Sequence, residues 1–189
     1  MRSLAMKWFG PVIALLILLA SGAAAQADQK DKRLDLLFKS LKETQGPGDA
    51  LPLEEAIWSI WVEANDRQTD LDMERGMTAM AKGDYGQAIA AFNNVIAERP
   101  DFAEGWNKRA TAYYLVGDFK ASVNDIRKTL ALEPRHFGAL SGLGLIYLQL
   151  GEDEGARKAF SGALDIHPFL TGAKAQLQDI HRRLGGKEI

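Results

Sequence analysis

The residues of this 189-residue chain best equipped for proton transfer or metal ligation are its three histidines, His136, His167 and His181. His136 and His167 each flank a proline turn, where an exposed polar residue is unremarkable. No two histidines lie three or four apart, the spacing that would set both imidazoles on one helical face around a metal. The chain has no cysteine, which removes thiolate nucleophiles, zinc ribbons and disulfides together. It also lacks HExxH, G-x-S-x-G and a Walker-type phosphate loop. Glu152-Asp153-Glu154, Arg157-Lys158 and Arg182-Arg183 read as solvated helix faces and ends, because a carboxylate pair for acid-base work needs burial that nothing nearby provides. The expectation is a protein without catalysis, cofactor or metal.

A different chemistry is suggested by Met73, Met77 and Met80, which fall at i, i+4 and i+7 and share one helical face. Flexible thioethers adapt to varied apolar surfaces and would suit a groove for a partner's amphipathic segment. The competing account is that they pack against Trp58 and Trp61. Those two tryptophans share an apolar face of their own and read as core residues burying about 150 to 250 Å² each, rather than as an exposed docking patch.

These side chains must be positioned by a segment that repeats itself. From Thr69 to Leu170, Pro100, Pro134 and Pro168 recur every 34 residues, as do Gly83, Gly117 and Gly151. Between them return Gly76, Ala110 and Gly144, then Tyr85, Phe119 and Asp153, then Ala88, Ser122 and Ala156, then Phe92, Ile126 and Phe160. A fixed period of this length marks a solenoid whose helix pairs bury their apolar faces only by stacking. Each Gly can enter the left-handed region that closes a helix. The acidic residue after it, Asp84, Asp118 or Glu152, can cap the next helix, Asp better than Glu. Each Pro then ends the second helix of its pair. The small residues let paired helices approach, and Trp106, Tyr113, Tyr147, Phe92 and Phe160 fill the remaining space.

The pattern resembles the tetratricopeptide repeat family, W-x2-L-G-x2-Y, A-x3-F, P. Its third copy reads Leu140, Leu143, Gly144, Tyr147, Ala156, Phe160, Pro168, and its second Trp106, Arg109, Ala110, Tyr113, Ser122, Ile126, Pro134. The first copy reads Asp72, Arg75, Gly76, Ala79, Ala88, Phe92, Pro100 and lacks both large residues of its leading helix. The resemblance implies an all-α, right-handed superhelical solenoid of antiparallel helix pairs, with repeats at 69–102, 103–136 and 137–170. It also implies that the first helix of each pair lines a concave wall that holds a protein or peptide partner. The exposed stripe carried over from the family is Met73, Met77 and Met80; then Glu104, Asn107, Lys108, Thr111 and Tyr114; then Gly138, Ser141, Leu145 and Leu148. Asn107 and Lys108 are similar to part of the cluster with which some members grip a C-terminal carboxylate, but Ser141 and Gly142 stand at the matching places in the next copy.

Outside the repeats, Arg2 and Lys7 precede an apolar run from Pro11 to Ala20 and the small residues Ala23-Ala24-Ala25, the layout of a signal peptide over 1–25 cut after Ala25. That run is shorter than the roughly 20 residues of a membrane span. A periplasmic or secreted monomer is expected, with no membrane contact after cleavage; an uncleaved inner-membrane tether is the rival. Residues 26–31 read as a disordered tether and 32–68 as a degenerate helix pair broken at Gly46-Pro47-Gly48, with Pro52 in the first turn of its second helix. Residues 171–185 read as a capping helix, wet on Lys174, Gln178, Arg182 and Arg183. The formal charge of −2 carries no message about nucleic acid. A helical accessory domain in envelope polymer hydrolysis and self-assembly through repeat ends are the remaining alternatives.

Overall fold

A computed structural model of the chain describes residues 28–185. The expected signal peptide and positions 26 and 27 lie outside the described residues. Every regular element among the described residues is an α-helix: α1 (Arg33–Glu43), α2 (Pro47–Val62), α3 (Arg67–Ala81), α4 (Tyr85–Glu98), α5 (Ala103–Leu115), α6 (Phe119–Leu132), α7 (Phe137–Gln149), α8 (Asp153–Ile166) and α9 (Thr171–Gly185). The expected solenoid is present. α3 pairs with α4, α5 with α6 and α7 with α8, each pair stacks on the next, and α9 packs on α8. The leading helices α3, α5 and α7 also touch in succession, so they form one wall.

The turns are built as the sequence period demands. Gly83, Gly117 and Gly151 have φ of 75°, 82° and 74°, the left-handed region that residues with a Cβ avoid. The Asp84 and Asp118 side chains accept the backbone N–H groups of Gln87 and Ala121, whereas Glu152 makes no such cap. The longer Glu side chain is the poorer fit to that geometry.

Paired helices touch through rings laid over missing side chains. A Cβ on Gly144 would sit 2.7 Å from the Phe160 ring, and one on Gly76 would sit 2.3 Å from that of Phe92. In the middle pair the contact is polar, with the Ser122 hydroxyl donating to the Ala110 carbonyl at 2.7 Å. Arg109, standing where the family pattern has an apolar residue, makes a two-pronged ion pair with Asp125 at 2.7 and 2.8 Å, donates to Asn93 and stacks on Trp106 and Tyr113. The Asp125 contact raises the affinity of the guanidinium for its proton.

The N-terminal part departs from expectation in three ways. α2 begins at Pro47, with Gly46 as its extended N-cap, so the break falls before Pro47 and Pro52 lies inside the helix. Proline suits the first helical position because its missing N–H would be unpaired there anyway. Residues 28–31 are not a free tether: Asp28, Gln29 and Asp31 are buried. Gln29 donates to the Asp101 carbonyl and accepts from the Ala103 N–H, while Asp28 pairs with Arg99. Finally, the pair α1–α2 does not extend the stack over α3. It folds back across the turns between repeats, and Trp58 and Trp61 pack on His136 and Phe137.

This fold-back follows a row of three turns. At the first, Arg99 holds Asp28 and the Ala64 carbonyl. At the second, Arg135 pairs with Asp35 and lies over the Phe38 ring. At the third, His167 meets Glu54 at 3.0 Å. The apolar filling beneath comes from Leu34, Phe38, Leu41, Ile57, Ile60 and Trp61, closed by Phe137 and Ala163.

Close helix approach makes Gly144 intolerant of a large side chain. Gly144→Leu is expected to lower stability by about 1 to 3 kcal/mol or more, read as a lower urea midpoint. Gly142→Ala, where the added methyl meets Ile126 at an ordinary 3.8 Å, is expected to stabilise by about 0.5 to 1 kcal/mol instead.

Candidate functional site

The wall formed by α3, α5 and α7 divides into a covered section and an open one. The covered section lies at the starts of α5 and α7, under α2. There Glu104 is fully buried and its Oε2 lies 2.8 Å from His136 Nε2 and 3.0 Å from the Asn107 amide nitrogen that donates to it. Its Oε1 takes the charge of Lys108 Nζ at 3.0 Å, off the ideal hydrogen-bond direction. His136 Nδ1 accepts the Ala139 N–H, which caps α7 and leaves Nε2 as the nitrogen that donates to Glu104. Trp61 stacks flat on the His136 ring at 4.2 Å, and Lys108 lies 5.5 Å from the Trp58 ring. A Cβ on Gly138 would sit 2.7 Å from Trp58, so only glycine admits that ring.

Burial by itself would hold Glu104 in its neutral form, but Lys108 and His136 outweigh it and keep the carboxyl below its usual range. The Trp61 indole N–H is buried with no acceptor among the described residues, a defect worth about 1 to 3 kcal/mol against the closed arrangement.

The open section runs toward the ends of α5 and α7. One cleft of about 290 Å³ is lined by Thr111, Tyr114, Leu115, Ser141 and Leu145, with Asn107 at its inner end. A second of about 300 Å³ is shared by Trp58, Ser141, Leu145, Ala173 and Gln176. Both are walled mostly by carbon. Thr111 and Ser141 turn their hydroxyls back to the carbonyls of Asn107 and Phe137, which makes them less polar toward the cleft.

The expected stripe is therefore only partly brought together. Asn107, Thr111, Tyr114, Gly138, Ser141 and Leu145 line the open clefts. Met73 does not: it is buried with Ala64, Phe92, Val95 and Phe102, and Met80 packs against the same cluster, while Met77 is exposed. Leu148 packs toward Phe160 and Ile180 at the α8–α9 joint. Glu104 is buried and Lys108 is bound to it, while Asn107 is mostly buried and Gly138 lies beneath Trp58 at the inner edge of the clefts. The corrections at Glu104, Lys108 and Gly138 arise where the molecule's own α2 occupies the start of the wall, whereas Met73, Met80 and Leu148 are taken up by packing within and between the repeats.

His136 and His167, expected as exposed turn residues, are both buried. A signal existed in the period. His136 stands 34 residues from Phe102 and from Leu170, so a polar group occupies an apolar register. His167 stands in register with Arg99 and Glu133 at the ends of α8, α4 and α6. Among the described residues no group of three acidic, His or Cys side chains is disposed to hold a metal.

An antiparallel helix-pair solenoid with one clefted inner wall defines a helical-repeat protein. Its family is settled by comparison: the tetratricopeptide repeat family profile matches residues 73–121 and 108–170. A TPR repeat-containing protein of Rhizobium etli is 35% identical over 155 residues, covering 82% of this chain and 76% of that one. The chain belongs to the tetratricopeptide repeat family. Its fold is similar to that of the first TPR domain of Spaghetti (RPAP3) bound to an Hsp90 peptide, with a TM-score of 0.60 and 24% identity over 63% of this chain and 94% of that one. It is similar also to the TPR2B domain of yeast Sti1 in a complex with an Hsp70 peptide, with a TM-score of 0.57 and 16% identity over 61% and 98% of the two chains.

The folded value of the Glu104 carboxyl lies below its unfolded one. Its contribution is therefore complete above the unfolded carboxyl range and is lost as pH falls through the lower folded value. Glu104→Gln is expected to cost roughly 1 to 3 kcal/mol at pH 7. The variant should also lose less stability than the parent between about pH 5 and pH 3, as measured by urea unfolding at each pH.

Proposed function

We propose that this protein is a non-enzymatic interaction scaffold that holds a segment of another protein on the open part of its inner wall. The observation that carries the reading is the cleft walled by Thr111, Tyr114, Leu115, Ser141 and Leu145. It is concave, mostly apolar and built from consecutive leading helices, the combination suited to an inserted apolar side chain with little ordering cost on the scaffold's side. The peptides bound by the TPR domains of Spaghetti (RPAP3) and Sti1 give the same reading by analogy of fold.

The chemistry favours an internal apolar or helical segment over a free C-terminal carboxylate. Lys108 and Asn107, the cation and amide that such a carboxylate would need, are already committed to Glu104. Leu115 and Val116 are exposed at the far mouth of the wall and offer further apolar contact to an entering segment.

The place of action belongs to this proposal as well: the cell envelope, periplasmic or secreted, after removal of residues 1–25. Support comes from the charged, apolar and small-residue sequence of that stretch. A cut after Ala25 would keep Asp28 and its pairing with Arg99 in the mature chain.

A photo-crosslinking residue at exposed Thr111 in intact cells is expected to capture a protein partner. Leu115→Glu, at a position 44% exposed, is expected to abolish that capture while changing stability by no more than about 0.5 kcal/mol. Undiminished capture by a folded variant would overturn the cleft as the docking site. The mass of the mature chain tests the location, with Gln26 expected as its first residue and Met1 the result that refutes cleavage.

A further inference from the structure

α2 is seated on the inner wall as a ligand would be, and its seat is chemically specific. Three of its side chains, Glu54, Trp58 and Trp61, fall at i, i+4 and i+7 and face three receptors: His167, the Gly138 and Lys108 platform, and His136. We propose that this covered section is a second docking surface, for a partner's amphipathic helix bearing a carboxylate and two aromatic residues at that spacing, with α2 as its built-in competitor. The proposal rests on the scaffold reading above, since both place a partner on the same wall.

The way α1–α2 is attached supports displacement. Arg99 holds the Asp28 carboxylate on one side of the helix pair and the Ala64 carbonyl on the other, at 3.2 and 2.8 Å. Both ends of the pair are thus fixed at one point, and the two helices form a flap hinged there. Past Ala64 the backbone turns at Asn65, whose φ of 52° is in the left-handed region, one that asparagine tolerates better than most residues. The flap can rise while its base stays bound.

The seat, though apolar beneath, also carries polar defects. It buries the Glu104 carboxylate and leaves the Trp61 indole N–H without an acceptor among the described residues, and the outer face of the flap keeps Leu36 71% exposed. The buried carboxylate of the wall does not need α2 for its partners, whereas His167 takes Glu54 from it. Asn107, Lys108 and His136 hold Glu104 from α5 and the turn before α7, so removal of α2 leaves that carboxylate paired and frees His167 to receive a partner's carboxylate. Partner binding is then set by the fraction of molecules with the flap raised, which divides into the intrinsic affinity.

The test uses the full chain and a fluorescein-labelled peptide with the Pro47–Val62 sequence as probe. In the chain, Glu54→Gln with Trp58→Ala loosens the flap and leaves its seat intact. Fluorescence anisotropy is expected to show the probe binding this variant at least about tenfold more tightly than the unmodified chain, and Trp58→Ala within the probe is expected to remove the gain. Equal affinity for both chains would overturn the proposal. Leu115→Glu separates the two readings. It is expected to leave probe binding unchanged, even where it abolishes cellular capture, and an equal loss would place the probe in the open cleft and refute the second surface. Hydrogen exchange on the unmodified chain decides independently of any variant's folding. Amides of α1 and α2 are expected to exchange ahead of those of α5 and α7, and exchange of all four helices together would refute the flap.

Discussion

The architecture depends on rings lying where a facing helix has no side chain. Phe160 over Gly144 and Phe92 over Gly76 bring the first and third pairs close enough to act as single slabs, the Ser122 hydroxyl on the Ala110 carbonyl does the same for the middle one, and slabs so formed have flat apolar faces that only a neighbour can bury. The order of stacking follows from this. So does the position of the inner wall, because the approach of paired helices fixes which residues of α3, α5 and α7 are left outside the pair.

The turns between slabs are where this chain becomes individual. A repeat of fixed length places Arg99, Glu133 and His167 at equivalent helix ends, and the period alone would make them interchangeable. Instead each holds a different part of the N-terminal segment, directly or through a neighbour: Arg99 takes Asp28, Glu133 orients Arg135 toward Asp35, and His167 takes Glu54. Asp101 extends the first of these contacts. Its carboxyl, bonded by Lys30 and Arg99, is lowered to about 2, so this end of the fold-back keeps its charge pairing through mild acid. A uniform row of turns has thus been given three addresses, which explains how a helix pair can cross the repeats in one register rather than slide along them.

Much of the repeat region was legible because local causes determine it. A glycine at φ near 75° can be inferred from its place between two helical patterns, and a capping aspartate from its place after that glycine. The difference between Asp118, which caps, and Glu152, which does not, was legible too. The path of α1–α2 was not, because its causes are contacts between residues as far apart as Glu54 and His167. Periodicity said that Trp58 and Trp61 belong in a core but not which core. A search for repeats averages over copies, and the residues that receive this segment are those that differ between copies. His136, polar in a register held elsewhere by Phe102 and Leu170, is the clearest case.

The covered and open sections of the wall differ in chemistry. Cation, amide and imidazole are gathered at the start of α5 and α7 around one buried carboxylate, and their charges are balanced before any partner arrives. What remains toward the far end is carbon from Tyr114, Leu115 and Leu145, with the hydroxyls of Thr111 and Ser141 turned inward. A surface of that kind discriminates by the shape and apolar area of what enters, since it has few unpaired polar groups to reward or penalise a match. Glu104, Lys108 and His136 all lie in the section that α2 covers. The N-terminal fold-back therefore determines more than how much of the wall is free; it determines which chemistry the wall presents.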